Sequence, residues 1–203
     1  VDKRQKGRKI DVHFNGALYP EQQVAAEKML YNDIGVLAAA TAFGKTVLGA
    51  YLIAQKKVNA LVLVHNVEIM NNWIKDLNSF LTINEELPTY TTPKGRVKKR
   101  SSLIGTFSSQ KDATTGIIDI AMITSLGRED NINELVRNYG MVIVDECHHA
   151  AAVTHENVLR AVTARYIYGM SATINRGDKQ DKKMFMQLGP IRHRYTAKER
   201  AQK

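Results

Sequence analysis

The chain has 203 residues, 44% of them hydrophobic and 24% charged, enough for one soluble domain with a sizeable core. Its formal net charge of +9 points to a polyanionic partner such as nucleic acid, with solvated basic loops as the blander reading. A lone cysteine, Cys147, excludes an internal disulfide framework and fits a reducing, cytoplasmic setting.

Residues 1–16 open with "VDKRQKGRKI", basic and without a following apolar run, so no signal peptide is read and a basic tail or linker is expected. Pro20 starts a helix that runs to Tyr31. The window "VLAAATAFGKTVLGAYLIA" is long enough for a membrane span. Lys45 at its centre would cost several kcal/mol in lipid. It therefore reads as a strand (35–40), a loop and a helix (Lys45–Gln55), with no membrane partner. "ALVLVH" (60–65) is a second strand. In the helix after it, Ile69, Met70, Trp73, Ile74, Leu77, Phe80 and Leu81 form one apolar stripe, which puts Trp73 in the core. Residues 84–116 break the rhythm as an exposed excursion in which only "LIGTF" (103–107) resembles a strand. Its basic run "KGRVKKR" (94–100) reads equally as a nucleic-acid contact or a solvated loop.

Further strands are expected at 118–124, 141–145 and 165–172, with helices at Ile132–Asn138 and Glu156–Thr163. Arg192 and Arg194 fall in a strand or linker, and 196–203 reads as linker. Most of these strands lack polar alternation, the pattern of strands covered on both faces. The expected fold is α/β: a doubly wound, mainly parallel sheet with helices on both faces, over residues 17–195.

Two motifs carry chemistry. "AAATAFGKTV" (38–47) ends like a phosphate-binding loop but has Ala39 where the general pattern opens with glycine. Its apolar strand leads to Gly44-Lys45-Thr46 at a helix start, where backbone N–H groups and the helix dipole meet an anion together. Gly44 allows close approach, Lys45 reaches the terminal phosphates and Thr46 offers a hydroxyl to magnesium. "MVIVDECHHA" then places Asp145 and Glu146 at a strand end, one carboxylate for the metal and one for the attacking water.

With these two motifs in order, the chain resembles superfamily 2 helicases and translocases, whose DEAD/DEAH-type box "DECHH" matches. That family writes its loop A-x-x-G-x-G-K-T, so Ala39 fits, and the departure is Ala42 at the middle glycine. The resemblance implies a RecA-like domain binding ATP and magnesium. The stretch from Ala42 through Phe43, Gly44, Lys45, Thr46 and Val47 would hold the phosphates, and Gln22 (Gln23 as fallback) in "LYPEQQ" would read adenine. Thr46 and Asp145 would hold the metal, and Glu146 would activate water. His148, with Ser171 and Thr173 of "SAT", would couple nucleotide state to nucleic-acid engagement. His65, Asn66, Thr124 and Ser125 would contact the nucleic-acid backbone.

"LVLVH…W", "VIVDECHH" and "GMSAT" look most similar to type III restriction-subunit-like and excision-repair-like helicases, which favours DNA over RNA. The resemblance also implies a second RecA-like domain supplying arginines. Another class of P-loop enzyme, such as a kinase or GTPase, or a non-catalytic nucleic-acid-binding module stays open as an alternative. Adjacent His148 and His149 have no ligand set of zinc spacing around them. Cys147 reads as packing.

Overall fold

The computed structural model describes residues 4–40, 42–128, 131–148, 153–172 and 179–196. The elements run β1 (Val12–Phe14), α1 (Pro20–Leu30), β2 (Ile34–Ala39), α2 (Lys45–Lys56), β3 (Ala60–Val64), α3 (Val67–Phe80) and β4 (Leu81–Ile83). Next come β5 (Thr89–Thr91), β6 (Val97–Lys99), β7 (Ile104–Ser108), β8 (Lys111–Asp112), β9 (Ile118–Met122), α4 (Ile123–Leu126), β10 (Gly127–Arg128) and β11 (Asn131–Ile132). A 3₁₀ turn (Glu134–Arg137), β12 (Met141–Asp145), α5 (Val153–Ala161), β13 (Tyr166–Ser171), α6 (Lys179–Leu188) and β14 (Ile191–Tyr195) complete the described chain.

Eight of the described strands form one sheet in the order β14-β2-β13-β12-β3-β9-β7-β8, parallel except for β8. Neighbouring residues of each strand feed opposite layers, which is why the strands read as continuous apolar runs. Val62, Val64, Met141 and Ile143 pack with α1, α2 and α3, while Leu61, Leu63, Val142 and Val144 pack with α5 and α6. Each fully buried Leu, Ile or Val contributes about 1.5–3 kcal/mol, so this double winding anchors the frame.

Because the main strands run the same way, their carboxyl ends share one rim. Ala39, His65, Asp145 and Ser171 all lie on it, at or just beyond the ends of β2, β3, β12 and β13. The strands expected at 35–40, 60–65, 103–107, 141–145 and 165–172, the helices α1 and α2 and the doubly wound architecture match the structure to within a residue or two.

Four expectations need correction. Residues 4–16 are not a tail: β1 pairs with β4, Gln5 bridges to Ala164, and Ile10 and Val12 are buried. The alternation Ile10, Val12, Phe14 is a short strand pattern hidden among cations. The excursion 84–116 is structured: β7 and β8 extend the main sheet, and β5–β6 form a separate hairpin. The run at 118–124 leaves the sheet at Met122, and "ITSL" is a single helical turn. The helix expected at 132–138 is only a 3₁₀ turn, capped by Asn133, whose side chain accepts from Leu135 N.

Candidate functional site

The phosphate-type loop joins β2 to α2. Ala42 has φ 66° and Gly44 φ 80°, so both are left-handed. For Ala42 that conformation costs about 1 kcal/mol, and strain of this kind persists where surrounding structure enforces it. Gly44 is needed twice over, since a Cβ there would stand 2.6 Å from the Gln22 amide nitrogen. Lys45 opens α2 with its Nζ 3.4 Å from the Ala39 carbonyl and 3.5 Å from Glu146 Oε1. The loop's cation therefore already faces the acidic pair.

At the end of β12 the two carboxylates diverge. Asp145 is buried, keeps the strand's alternation and points toward α3, where its Oδ2 accepts the indole N–H of Trp73 at 2.8 Å. Its Oδ1 accepts from the Glu146 backbone N–H at 2.8 Å. Burial pushes the Asp145 carboxyl above its ordinary value; the Trp73 bond works against that shift, and the neighbouring Glu146 charge adds to it. Glu146 takes φ 47°, which turns the chain out of the sheet and sends its carboxylate the other way. Its Oε2 lies 3.2 Å from His148 Nδ1, and the same ring nitrogen is 2.8 Å from Ser171 Oγ at the end of β13. The Ala172 N–H also reaches Glu146 Oε2, at 3.4 Å. One continuous set thus joins Lys45, Glu146, His148 and Ser171.

Two participants are missed by the sequence reading. Trp73 reads as core, and it is fully buried, but its N–H also holds Asp145. Asp76, one turn further along α3, accepts the Thr46 hydroxyl. Both proposed metal-holding side chains are therefore tethered to one face of α3. The spacing i, i+3 is visible in the sequence; their partners on other elements are not. Gly49 makes the approach possible, because a Cβ there would stand 2.3 Å from the Trp73 ring.

Gln22 is buried, with its amide committed at both ends: Oε1 accepts Tyr19 N–H at 2.9 Å and Nε2 donates to Phe43 O at 2.8 Å. It fastens the start of α1 to the phosphate loop. Beside it lies a cavity of about 430 Å³, lined by Tyr19, Gln22, Phe43, Val47, Phe80 and Tyr195. That is within the usual size of a small-molecule site.

Asn66 caps α3 by accepting from Ile69 N at 2.8 Å, so its side-chain oxygen serves the helix. His65 is half-buried beside it, Ser125 is half-buried and Thr124 is exposed on α4. Cys147 is fully buried, and burial pushes its thiol up, as befits packing. Thr173 and His149 lie outside the described residues. Among the described residues no group of three or more His, Cys, Asp or Glu could hold a metal ion. Magnesium needs less, being held by one or two carboxylates together with substrate phosphates; Asp145 offers one such carboxylate, its oxygens accepting from the Trp73 indole and the Glu146 N–H, while the Thr46 hydroxyl donates to Asp76. No described helix is long and apolar enough to cross a membrane.

A doubly wound parallel sheet with a phosphate-type loop after one inner strand and an acidic pair after another defines a RecA-like nucleotide-binding domain of the helicase type. The family described as the type III restriction enzyme, res subunit, matches residues 15–176, and the chain belongs to it. In motifs and fold it is similar to the first RecA-like domain of superfamily 2 helicases. An Acanthamoeba polyphaga mimivirus protein named as an ATP-dependent RNA helicase is 26% identical over 187 residues, covering 90% of this chain and 33% of its own length. The Mycobacterium tuberculosis DNA 3'-5' helicase XPB is 27% identical over 192 residues, 91% of this chain and 32% of that protein. The UvsW helicase of bacteriophage T4 superposes with a TM-score of 0.65 at 12% identity, over 94% of this chain and 69% of the solved one, a likeness of fold. The chain spans about a third to a half of the length of the curated relatives it matches.

Proposed function

We propose that this chain is the ATP-binding half of a nucleic-acid motor that hydrolyses ATP to ADP and phosphate once a second RecA-like domain closes on it. The observation that carries this reading is the approach of Lys45 to Glu146 at 3.5 Å, bringing the phosphate loop and the acidic pair together on one rim. Across that distance each balances the other's charge. When phosphates enter, Lys45 Nζ turns to them, and the Glu146 carboxylate is left to orient a water and accept its proton. The N–H groups from Ala42 to Val47 face the phosphate oxygens, and the cavity beside Gln22 takes the base, with the Gln22 amide exchanging a backbone partner for adenine. Magnesium, held by Thr46 and Asp145, would supply positive charge on the phosphate oxygens. His148 and Ser171, with Thr173 beyond them, report the state of Glu146 to the nucleic-acid side.

The rim residues His65, Thr124 and Ser125 are proposed to meet the nucleic-acid backbone, with Asn66 acting through the helix it caps. DNA is preferred to RNA on the restriction-enzyme family and the Mycobacterium relative, although the mimivirus relative is named for RNA; competition between duplex DNA and duplex RNA decides. The domain is taken to run from about residue 4 to 195. An arginine supplied from the second domain is worth about 10³- to 10⁵-fold in rate, so this chain alone should turn over ATP slowly.

The test is equilibrium binding of ATP and GTP with magnesium, followed by steady-state turnover with and without duplex DNA. Binding of ATP over GTP that is lost in Lys45→Ala is the expected result. Equal binding of GTP, or binding indifferent to Lys45→Ala, overturns the reading in favour of another P-loop class or a non-catalytic module.

A further inference from the structure

We propose that the β5–β6 hairpin is a second nucleic-acid contact, a basic arm that grips the phosphate backbone beyond the rim residues already described. The inference rests on the nucleic-acid reading above and adds to it a surface outside the resemblance motifs. From Leu87 through Lys111 the sequence contains Lys94, Arg96, Lys98, Lys99, Arg100 and Lys111 and not one Asp or Glu. Solvated surfaces mix both signs; a run of one sign on an ordered element concentrates a field.

The hairpin is ordered by its own bonds. Tyr90 pairs with Lys98 and Thr91 with Val97, while the turn is closed by Gly95 N–H to Thr92 O and Arg96 N–H to the Thr92 hydroxyl. Lys94, Arg96, Lys98 and Lys99 are exposed, and no described carboxylate pairs with any of them. Arg100 has a different job. Its guanidinium lies 4.2 Å from the Tyr90 ring centre and donates to Asp112 O at 3.2 Å, pinning the base of the hairpin to β8. Asp112, the acid that Arg100 reaches, is already held by the Thr114 N–H at 3.0 Å and the Thr114 hydroxyl at 2.7 Å, and Glu85, before the first strand of the hairpin, is held by Arg8 at 2.9 Å. The anchoring side chains are thus spent, and the remaining cations face water.

Where the hairpin is pinned decides its partner. β7 runs parallel to β9, so the β7–β8 turn, with exposed Ser109, Gln110 and Lys111, lies at the same carboxyl rim as His65 and Ser125. Counting along the sheet from β3 through β9 and β7 to β8 is three strand spacings, about 14 Å. At about 3.4 Å per nucleotide this is roughly four further steps of a helical strand. A backbone lying on the rim residues and continued by that length reaches the β7–β8 turn, where Lys111 is exposed and where the Asp112 carbonyl next to it receives Arg100 from the base of the hairpin. The chemistry there, ammonium and guanidinium groups with no described carboxylate partner, suits phosphates in a row; an acidic protein segment is the other partner such charge could draw, and it is an outcome of the test.

The experiment titrates a fluorescent 20-base-pair DNA duplex with the parent chain and with Lys94→Ala/Arg96→Ala/Lys98→Ala/Lys99→Ala, from 50 to 200 mM salt. A control, Lys9→Ala/Lys57→Ala, removes exposed cations at the opposite, amino end of β3. Nucleotide binding and circular dichroism verify that each variant folds. Each phosphate contact contributes about 0.7–0.9 to the slope of log affinity against log salt. With two of the four cations on one backbone of the duplex, for which the contribution is about 0.9 each, the hairpin variant should lose about 1.8 of that slope and at least tenfold in affinity at about 0.1 M salt, the control changing little. Slope and affinity unchanged in the hairpin variant overturn the proposal and leave the solvated loop or an acidic protein partner. An equal loss per charge in the control also overturns it, as a general charge effect. Failure of the parent itself to bind DNA would sink the nucleic-acid reading, a result distinct from either.

Discussion

Replacing Trp73 by Phe removes one N–H and little else from a site where the donor serves a buried carboxylate. A hydrogen bond to a charged group contributes about 1.5–3 kcal/mol, and the smaller ring leaves a gap against Gly49, so a total loss of about 2–4 kcal/mol is expected. For a chain of 203 residues that corresponds to a midpoint lowered by roughly 5–15 °C. Asp145→Asn should act in the opposite sense. Burial raises the Asp145 pKa, so the ionised form is disfavoured in the folded state, and a neutral amide relieves that cost while still offering an oxygen to Trp73. The assay is thermal unfolding by circular dichroism at pH 7.5 without nucleotide, on both single variants and the double variant. In the Asp145→Asn background the Trp73→Phe step should cost at least about 1 kcal/mol less, because the bond it removes is then neutral. An equal cost in both backgrounds would show that Trp73 stabilises by packing alone and would refute its role in holding Asp145.

Three further outcomes are expected. Ala42→Gly relieves a left-handed alanine of about 1 kcal/mol, so ATP should bind equally well or more tightly; a clear loss of affinity in a titration would mean that the methyl group packs in the liganded loop. Glu146→Gln should keep ATP binding and abolish hydrolysis, and turnover at the parent rate in single-turnover assays would remove Glu146 from the water-activating role. Tyr139→Phe deletes the hydroxyl that donates at 2.6 Å to fully buried Asp119, whose pKa burial already raises. A carboxyl with a raised folded pKa stabilises fully below its ordinary range and loses that contribution as pH rises through the folded value. Losing the donor raises that value further, so the variant's deficit, about 1.5–3 kcal/mol at neutral pH, should shrink on acidification in melts from pH 7.5 toward pH 5. A deficit independent of pH would be the wrong result.

The sequence by itself determined the frame. Unalternated runs such as "ALVLV" and "MVIVD" need cover on both faces, and with helices between them only a doubly wound parallel sheet supplies it. Parallel strands share one carboxyl rim, so Lys45, Asp145, Glu146 and Ser171 had to arrive at the same edge once their strands were identified. The demand on Ala42 was also legible, because the helicase-type loop wants glycine there and the backbone indeed takes φ 66°. What the sequence left undecided is whatever depends on which side chains meet across elements. The i, i+3 pair Trp73 and Asp76 reads as one core residue and one polar neighbour, and only the packing of α3 on α2 beside Gly49 turns it into a clamp on Asp145 and Thr46. Gln22 reads as an adenine contact, while its amide is bound to Tyr19 and Phe43, partners fixed by how α1 meets the loop. The amino-terminal segment hides Ile10, Val12 and Phe14 among basic residues, and its strand exists only because β4 offers an edge some seventy residues away. Periodicity encodes which face is buried; hydrogen-bond partners are set by register and close approach, and those exist only in three dimensions.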